Sequence, residues 1–540
     1  MSFNARACAA GVLLCAVHSS PLGAAEASGV ADAAAQPAVR HWVFFADKGV
    51  AALEAPQRAV AAAEATLDPR AAQRRALRRT RPGLADWQDV PVAPEYLATL
   101  RETGARVHVV SRWLNAASVE AGEYQLAQIA ALPFVERVEP VRRGRRVEPL
   151  GLTPRDYGAV SRGFYGYAEG QLAQMNLLAL HAQGYTANGV VIGVLDTGFE
   201  RSHEAFNEPG HALEVLDEWD FVDNDGDTSA EPSDYWDQHT HGTLILGTLG
   251  GYRPFAYVGS AFNASFVLAK TEDVTAEYPA EEDNYVGGLE FVEAHGADVA
   301  TSSLGYIDWY TQGDLDGLTA VTTIAVNAAT ENGLICCTAA GNEYHDSNPG
   351  TSHLIAPADA FQVITCGAVD GDGFIADFSS DGPTADGRVK PEVLAQGVDT
   401  ISVWPYDTSG YAYASGTSLS TPLVAGAVAC IVQAHPSWTV DHLRQRLTTT
   451  ASDFVANGTY DPQYVRGYGI IDALVAASAP ACEGDLDDDG TVGLSDLSAL
   501  LTNFGAPSGM SYADGDLDGD GDVDLADLSA LLTEYGADCP

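Results

Sequence analysis

Three short stretches of the 540-residue chain carry residues whose types could do chemistry together. VVIGVLDTGFE (190–200) runs apolar and then turns polar at Asp196, Thr197 and Gly198. HTHGTLILG (239–247) holds His239 and His241, and ASGTSLSTPLVAG (414–426) holds Ser418. An acid, an imidazole and a hydroxyl are the parts of an activated nucleophile. A serine attacks poorly until a base accepts its proton. A carboxylate behind that base fixes its tautomer and stabilises the imidazolium. Asp196 also raises a different chemistry, two carboxylates sharing one proton. That needs a second Asp-Ser-Gly or Asp-Thr-Gly, and none occurs. The bland alternative is three unrelated polar residues on a sheet.

The segments VLDTGFE, HGTLILG and SGTSLSTPLVAGAVA, in the order Asp, His, Ser, resemble the three catalytic motifs of the subtilase family of serine proteases. TAAGNEY (338–344) resembles that family's oxyanion motif at Asn342, and TSSLGY (301–306) its cleft-lining strand. The resemblance covers about 165–475. It implies Asp196, His241, Ser418 and Asn342 as catalytic residues. It implies Ser303, Leu304, Gly305, Ala340 and Gly341 as substrate-binding residues, with a mostly apolar wall that favours large neutral side chains. Ser418 precedes an apolar helical run with Pro422 expected in its first turn. This places the serine at a helix N-terminus, where its N–H can face a developing oxyanion beside the Asn342 amide. The chain departs from the family at Leu244, where another His is usual, and at Ile245-Leu246. These read as packing positions on a helix. His239 is assigned to a surface loop, and His203 to a structural role.

These residues need a scaffold. Apolar runs at 190–195, 265–270, 297–303, 334–340 and 363–369 alternate with helical stretches near 286–294, 315–331 and 421–434. Such alternation predicts an α/β fold, a doubly wound parallel sheet with helices on both faces. Function then sits at the carboxyl ends of the strands. The expected domains are a signal peptide (1–27), a small α+β domain (28–150), the subtilisin-like body (155–476) and a C-terminal module (480–540). Residues 28–150 resemble an inhibitory propeptide. Within them, 54–79 reads as helical and 142–151 as a basic, exposed linker, with self-processing expected between 142 and 165.

The last stretch repeats itself: GDLDDDGTVGLSDLSALLTNFG (484–505) and GDLDGDGDVDLADLSALLTEYG (515–536). It resembles a dockerin module, a paired EF-hand-like calcium loop and helix. The resemblance implies calcium ligands Asp485, Asp487, Asp489, Thr491 (carbonyl) and Asp496 in the first loop. In the second it implies Asp516, Asp518, Asp520, Asp522 (carbonyl), Asp524 and Asp527. Oxygen donors at alternate positions around a glycine suit a hard cation of this size. A cohesin-like or cell-surface partner is implied. However, Leu494-Ser495 and Leu525-Ala526 are not the Ser-Thr pairs of many cohesin-binding dockerins. Another acidic loop, DFVDNDGDTSAEPSD (220–234), has Asp223, Asp225 and Asp227 at spacings of two, and reads as a surface loop in preference to a calcium site.

Charge bounds the partners. The net charge is −46, which argues against nucleic acid and anionic membranes. Of 28 Lys and Arg, 17 fall in 28–150, a stretch of about +3, whereas 151–540 is −49. That asymmetry predicts docking of the first segment on the acidic body. MSFNARACAAGVLLCAVHSSPLGAAEASG reads as a secretory signal, so the protein is expected outside the cell or on its surface. No later segment approaches about 18 uninterrupted apolar residues. Cys482 and Cys539 bracket the repeat and could close it, while Cys336, Cys337, Cys366 and Cys430 read as buried thiols. Two functional classes follow: a secreted endopeptidase acting on protein and peptide substrates, or a catalytically silent scaffold that presents the C-terminal module. Intact motif residues favour the first.

Overall fold

The computed structural model describes residues 40–50, 55–141, 150–155, 163–274, 282–307, 310–478, 484–486, 491–507, 510, 512–517 and 521–537. The signal-peptide stretch, the basic run 142–149, Asp487, Asp489, Asp518, Asp520, Cys482 and Cys539 lie outside the described residues.

The chain begins with an antiparallel sheet and its helices. In order these are β1 (Arg40–Phe45), α1 (Ala55–Glu64), α2 (Pro69–Arg78), α3 (Pro94–Glu102), β2 (Arg106–Ser111), β3 (Ala116–Glu120), α4 (Glu123–Ala130) and β4 (Val135–Pro140). The sheet order is β2-β3-β1-β4. One helix over 54–79 was the expectation; two form instead, because Pro69 lacks the N–H that would continue the first. Asp68 accepts hydrogen bonds from the N–H groups of Arg70 and Ala71 and starts α2 with Pro69 in its first turn. Alternation along β1 serves two cores. Val43 and Phe45 pack with Leu100 and Ile129, whereas Trp42 and Phe44 pack with Tyr285, Val286 and Leu289 of the body. Next comes β5 (Leu150–Arg155). The basic linker expected over 142–151 therefore ends by residue 150, where the chain gains a strand's backbone pairing.

The body is built from β6 (Val191–Asp196), β7 (Glu214–Asp220), α5 (Thr240–Gly250), β8 (Ser265–Lys270), α6 (Glu282–Ala294), β9 (Val299–Ser302), α7 (Val321–Glu331), β10 (Ile335–Ala339), β11 (Ile364–Val369) and β12 (Val393–Gln396). Its seven parallel strands run β12-β11-β10-β9-β6-β8-β7. Strands β6, β9, β10 and β11 are buried along their whole length, as a sheet covered on both faces requires. The order reverses around β6, because the chain leaves β8 on one side of it and resumes with β9 on the other. A crevice for ligands opens at such a reversal, at the carboxyl strand ends.

A small antiparallel sheet follows from β13 (Thr400–Val403) and β14 (Tyr411–Ser415), with β5 as its third strand. The chain then enters α8 (Thr417–Ala434) and α9 (Val440–Thr449). Helix α8 is long and apolar enough to cross a membrane by composition, but it is 89% buried inside the body. Residues past 484 contribute α10 (Leu494–Asn503) and α11 (Leu525–Glu534) around a small core of Val492, Leu500, Leu517, Val523 and Leu531. Cys336, Cys337, Cys366 and Cys430 are buried free thiols.

Candidate active site

Asp196 is the last residue of β6 and His241 the second of α5. Their side chains meet, with His241 Nδ1 2.7 Å from Asp196 Oδ1. Both are buried, at 0% and 1% exposure, so water does not compete for this contact. Asp196 Oδ1 also accepts the Thr197 N–H, and Thr197 Oγ1 accepts the Gly242 N–H. The turn after the acid and the start of the histidine helix are thereby tied together. Gly242 has no alternative: a side chain there would strike the Gly198 carbonyl at 2.2 Å. Among the described residues, His241 Nε2 has no hydrogen-bond partner, although it is buried. An imidazole held through Nδ1–H by a carboxylate, with an open Nε2, is arranged to accept a proton.

Ser418 is the second residue of α8, and the expected position of Pro422 is corrected. The helix starts at Thr417, so Pro422 sits in its second turn, not its first. Proline lacks the N–H that would bond the carbonyl four residues back, which is that of Ser418. Ser303 Oγ, fully buried, donates to this carbonyl at 2.9 Å. Asn342 Oδ1 accepts both the N–H and the hydroxyl of Thr417, each at 2.9 Å, which fixes its amide. A side chain on Gly416 would lie 3.2 Å from Asn342 Nδ2 and 3.3 Å from Ser418 Oγ. Gly416, with φ +150° and ψ 156°, keeps that gap open in a backbone conformation that is essentially glycine's alone. A carbonyl oxygen entering there would meet the amide and the hydroxyl together.

Strands β9, β6 and β10 are neighbours in register, with Ser302 beside both Leu195 and Thr338. Asp196, Ser303 and Asn342 therefore share one edge of the sheet, the carboxyl end. Leu304 and Ala340 lie in the core. Gly305 and Gly341 are buried, and a side chain on either would collide, with Ile355 and with Ser380 Oγ respectively. Ser303 faces the serine's backbone. His239, expected on a surface loop, is instead 7% exposed, and its Nε2 lies 3.2 Å from Asp234 Oδ2. Burial holds its imidazole below the usual histidine range. Its ring packs where a side chain on Gly198 would go, so the tight turn after Asp196 draws it inward. His203 bonds the Gly410 carbonyl at 2.7 Å and accepts the Ala205 N–H, which is a structural role. Leu244, Ile245 and Leu246 are fully buried packing residues.

Sequence reasoning passed over two features. Thr197 was read only as part of a motif; its hydroxyl is the tie to Gly242. Trp236 stacks on Tyr406 with ring centroids 5.8 Å apart, and Thr240, which precedes His241 in the chain, donates from Oγ1 to the Tyr406 hydroxyl at 2.6 Å. Trp236 is 70% exposed. Its only signal was a Tyr-Trp pair ahead of the histidine.

Two acidic clusters bear on a cation. At the end of β7 and in the loop after it, Asp220, Asp223 and Glu231 offer oxygens within 4.8 Å of one another. Lys270 already supplies positive charge there, at 2.8 Å from Asp220 and 2.9 Å from Asp234. Burial opposes that ammonium, but the two carboxylates outweigh it and raise its pKa. Asp227 is exposed on a surface loop, as expected. In the C-terminal residues, Asp522, Asp524 and Asp527 offer oxygens within 4.8 Å. Asp485 and Asp516 are 3% exposed, and Asp496 and Asp527 are fully buried. Residues 480–540 contain no Lys, Arg or His to neutralise these acids, so the donor set fits a hard cation such as calcium.

Comparison with known proteins agrees with this geometry. The Subtilase family model matches residues 187–470. The model of the peptidase S8 propeptide domain, Bacteroidota, matches 40–149. Subtilisin E of Bacillus subtilis is 31% identical over 379 residues, covering 70% of this chain and 84% of that protein. Subtilisin of Bacillus pumilus is 33% identical over 307 residues, 57% of this chain and 97% of that one. Among solved structures, fervidolysin of Fervidobacterium pennivorans shares the fold, with a TM-score of 0.55 at 22% identity, over 72% of this chain and 60% of that one. A parallel sheet bearing an acid, a histidine and a serine in that order, preceded by a propeptide domain, makes this chain a member of the subtilase family of serine endopeptidases.

Proposed function

We propose that the protein hydrolyses peptide bonds with Ser418 as nucleophile, His241 as base and Asp196 as the carboxylate that orients it. The buried 2.7 Å contact of Asp196 with His241, whose Nε2 is unbonded among the described residues, carries this reading. Ser418 Oγ attacks the substrate carbonyl carbon as its proton passes to His241 Nε2. The oxyanion is received by the Asn342 amide and the Ser418 N–H, and one such donor is worth about 3–4 kcal/mol of barrier. Collapse expels the amine, which takes the proton from His241, and water repeats the cycle on the acyl-enzyme.

Ser303, Leu304, Gly305, Ala340 and Gly341 line the cleft through their backbone, because their side chains are buried or absent. The exposed Trp236–Tyr406 pair, held to the residue that precedes His241, supports a preference for large neutral side chains. The chain is secreted after loss of residues 1–27, and residues 28–150 act as a propeptide removed by a cut between 142 and 165. The body spans 155–476. Residues 480–540 form a dockerin-like module in which Asp485, Asp487, Asp489, Thr491 and Asp496, and Asp516, Asp518, Asp520, Asp522, Asp524 and Asp527, hold calcium, for attachment to a cohesin-like or cell-surface partner. The test is N-terminal sequencing of the secreted protein, wild type beside Ser418→Ala, with calcium present. A wild-type start between 142 and 165, with the variant uncut, is expected. A Ser418→Ala chain that matures itself or hydrolyses peptides would remove Ser418 from the mechanism.

A further inference from the structure

Among the described residues, the propeptide meets the body at two places. One is the apolar face of β1 and β2 against α6. The other is helix α2, whose sequence PRAAQRRALR puts Arg70, Arg74 and Arg78 on one stripe at a spacing of four. Arg74 and Arg78 are 1% and 3% exposed, so almost their whole surface is committed to contacts.

The surface that receives them is specific to guanidinium. Arg74 donates to the carbonyls of Glu293 (3.1 Å) and Ala297 (2.6 Å), and pairs with the Glu293 carboxylate. Arg75 Nε donates to the same carboxylate oxygen at 2.9 Å, and Arg112, from the turn after β2, takes the other oxygen at 2.7 Å. Arg78 donates to Asp298 Oδ1 and to the Pro436 carbonyl, both at 2.9 Å, and Arg70 to the Gly189 carbonyl at 2.9 Å. Arg79 reaches Asn332 Oδ1 at 2.8 Å. The Glu293 carbonyl is one of the last of α6, and the carbonyl of Asn332, which caps the end of α7, accepts from Arg74 Nε at 3.4 Å. Such helix ends carry orphan acceptors and partial negative charge. Gly296 (φ +79°) and Gly333 (φ +78°), which end those helices, admit the close approach. A side chain on either would meet Arg70 Cβ at 2.5 Å or Arg78 Cβ at 2.7 Å. Burial works against the charge on Glu293, but three arginines outweigh it and hold its carboxyl below the usual range.

The location separates this contact from catalysis. Asp298 immediately precedes β9, and Gly189 and Gly333 lie two residues before β6 and β10, whereas Asp196, Ser303 and Asn342 end or follow the same strands. A six-residue strand spans roughly 20 Å. We propose that the body carries, at the strand-start edge of its sheet, a receptor for a guanidinium-bearing helix. The propeptide's α2 is its ligand. This anchor is independent of the cleft and sets how tightly the propeptide holds to the body once its connecting chain is cut. The inference rests on the proposal that this connection is cut, and its test does not depend on which group cuts it.

In the full chain carrying Ser418→Ala, a recognition sequence for an unrelated sequence-specific protease is placed within 142–149 and cleaved by that protease. Size-exclusion chromatography and dilution then measure how tightly the two pieces hold. Co-elution is expected. Adding Arg74→Gln with Arg78→Gln should weaken the association at least about a hundredfold, because buried carboxylates lose their partners. Should that variant fail to fold, Glu293→Gln alters the receptor while keeping its shape, and should weaken association more than about tenfold. Pieces that part at once without any substitution, or variants that hold as tightly as the parent, overturn the proposal. A wrong nucleophile assignment shows only in the self-processing experiment above.

Discussion

Gly416, Ser303 and His181 each do something their residue type alone would not announce. Gly416 keeps a gap between a hydroxyl and an amide. Ser303 supplies the hydrogen bond that Pro422 cannot, so it positions Ser418 through its backbone. His181 is buried in the body, with Nε2 3.1 Å from the Ser260 carbonyl and Nδ1 3.1 Å from the Tyr165 hydroxyl. One ring nitrogen therefore donates and the other accepts, which fits a neutral ring. Burial pushes its pKa down to about 4. The unfolded chain, with an ordinary histidine near 6.5, binds the proton more readily than the folded one. Stability from this group is full above about pH 6.5 and falls on the way to pH 4, by on the order of 3 kcal/mol. Thermal midpoints of the Ser418→Ala chain should drop across that window, and drop less steeply in His181→Gln. Parallel curves would show that His181 is not the titrating group.

Helix α8 shows how an element can be built around a defect. A proline in the second turn frees a carbonyl, and the strand-end loop after β9 supplies a donor for it. Ser303→Ala should remove the hydrogen bond to the Ser418 carbonyl and cost about 0.5–1.5 kcal/mol of stability, with kcat lowered more than KM is raised. Pro422→Ala restores an N–H four residues on from Ser418. The double variant should therefore recover most of what Ser303→Ala loses, in both melting temperature and kcat. A strictly additive double variant would mean that Ser303 acts elsewhere. Helix α2 is the complementary case, an element whose buried face is arginine. Its pattern on a helical wheel is legible, but a polar stripe ordinarily faces solvent, and only the body's carboxylates and helix ends turn it inward.

At the scale of the molecule, a charge of about +3 on 28–150 against −49 on the remainder sets up association of the two parts. The C-terminal residues keep their own core and buried acids with no base among them. Calorimetric titration of calcium into the chelated Ser418→Ala chain should give binding in the micromolar to millimolar range expected of such loops. Asp485→Asn with Asp516→Asn should abolish that heat while leaving the body's thermal transition in place. Calcium binding unchanged by the pair would move the site elsewhere, the Asp220 loop being the alternative cluster.

Local pattern in the chain was enough to read the parallel sheet and membership of the serine endopeptidase family. Strands such as VVIGVL and VITCGAV are locally apolar, and each motif sits at the end of a local element, so short-range pattern was enough. The sequence by itself also determined the charge asymmetry and the repeated acidic loops. Tertiary structure decided what depended on distant partners. His239 went inward because the Gly198 turn leaves room for its ring. Ser303 turned to Ser418, 115 residues away, because Pro422 has no N–H to donate to that carbonyl. Residues 150–155 became a strand because β14 offered an edge. Arg74 was buried by Glu293, 219 residues on, because a guanidinium enters a protein interior only where acceptors from elsewhere in the chain have been gathered to meet it.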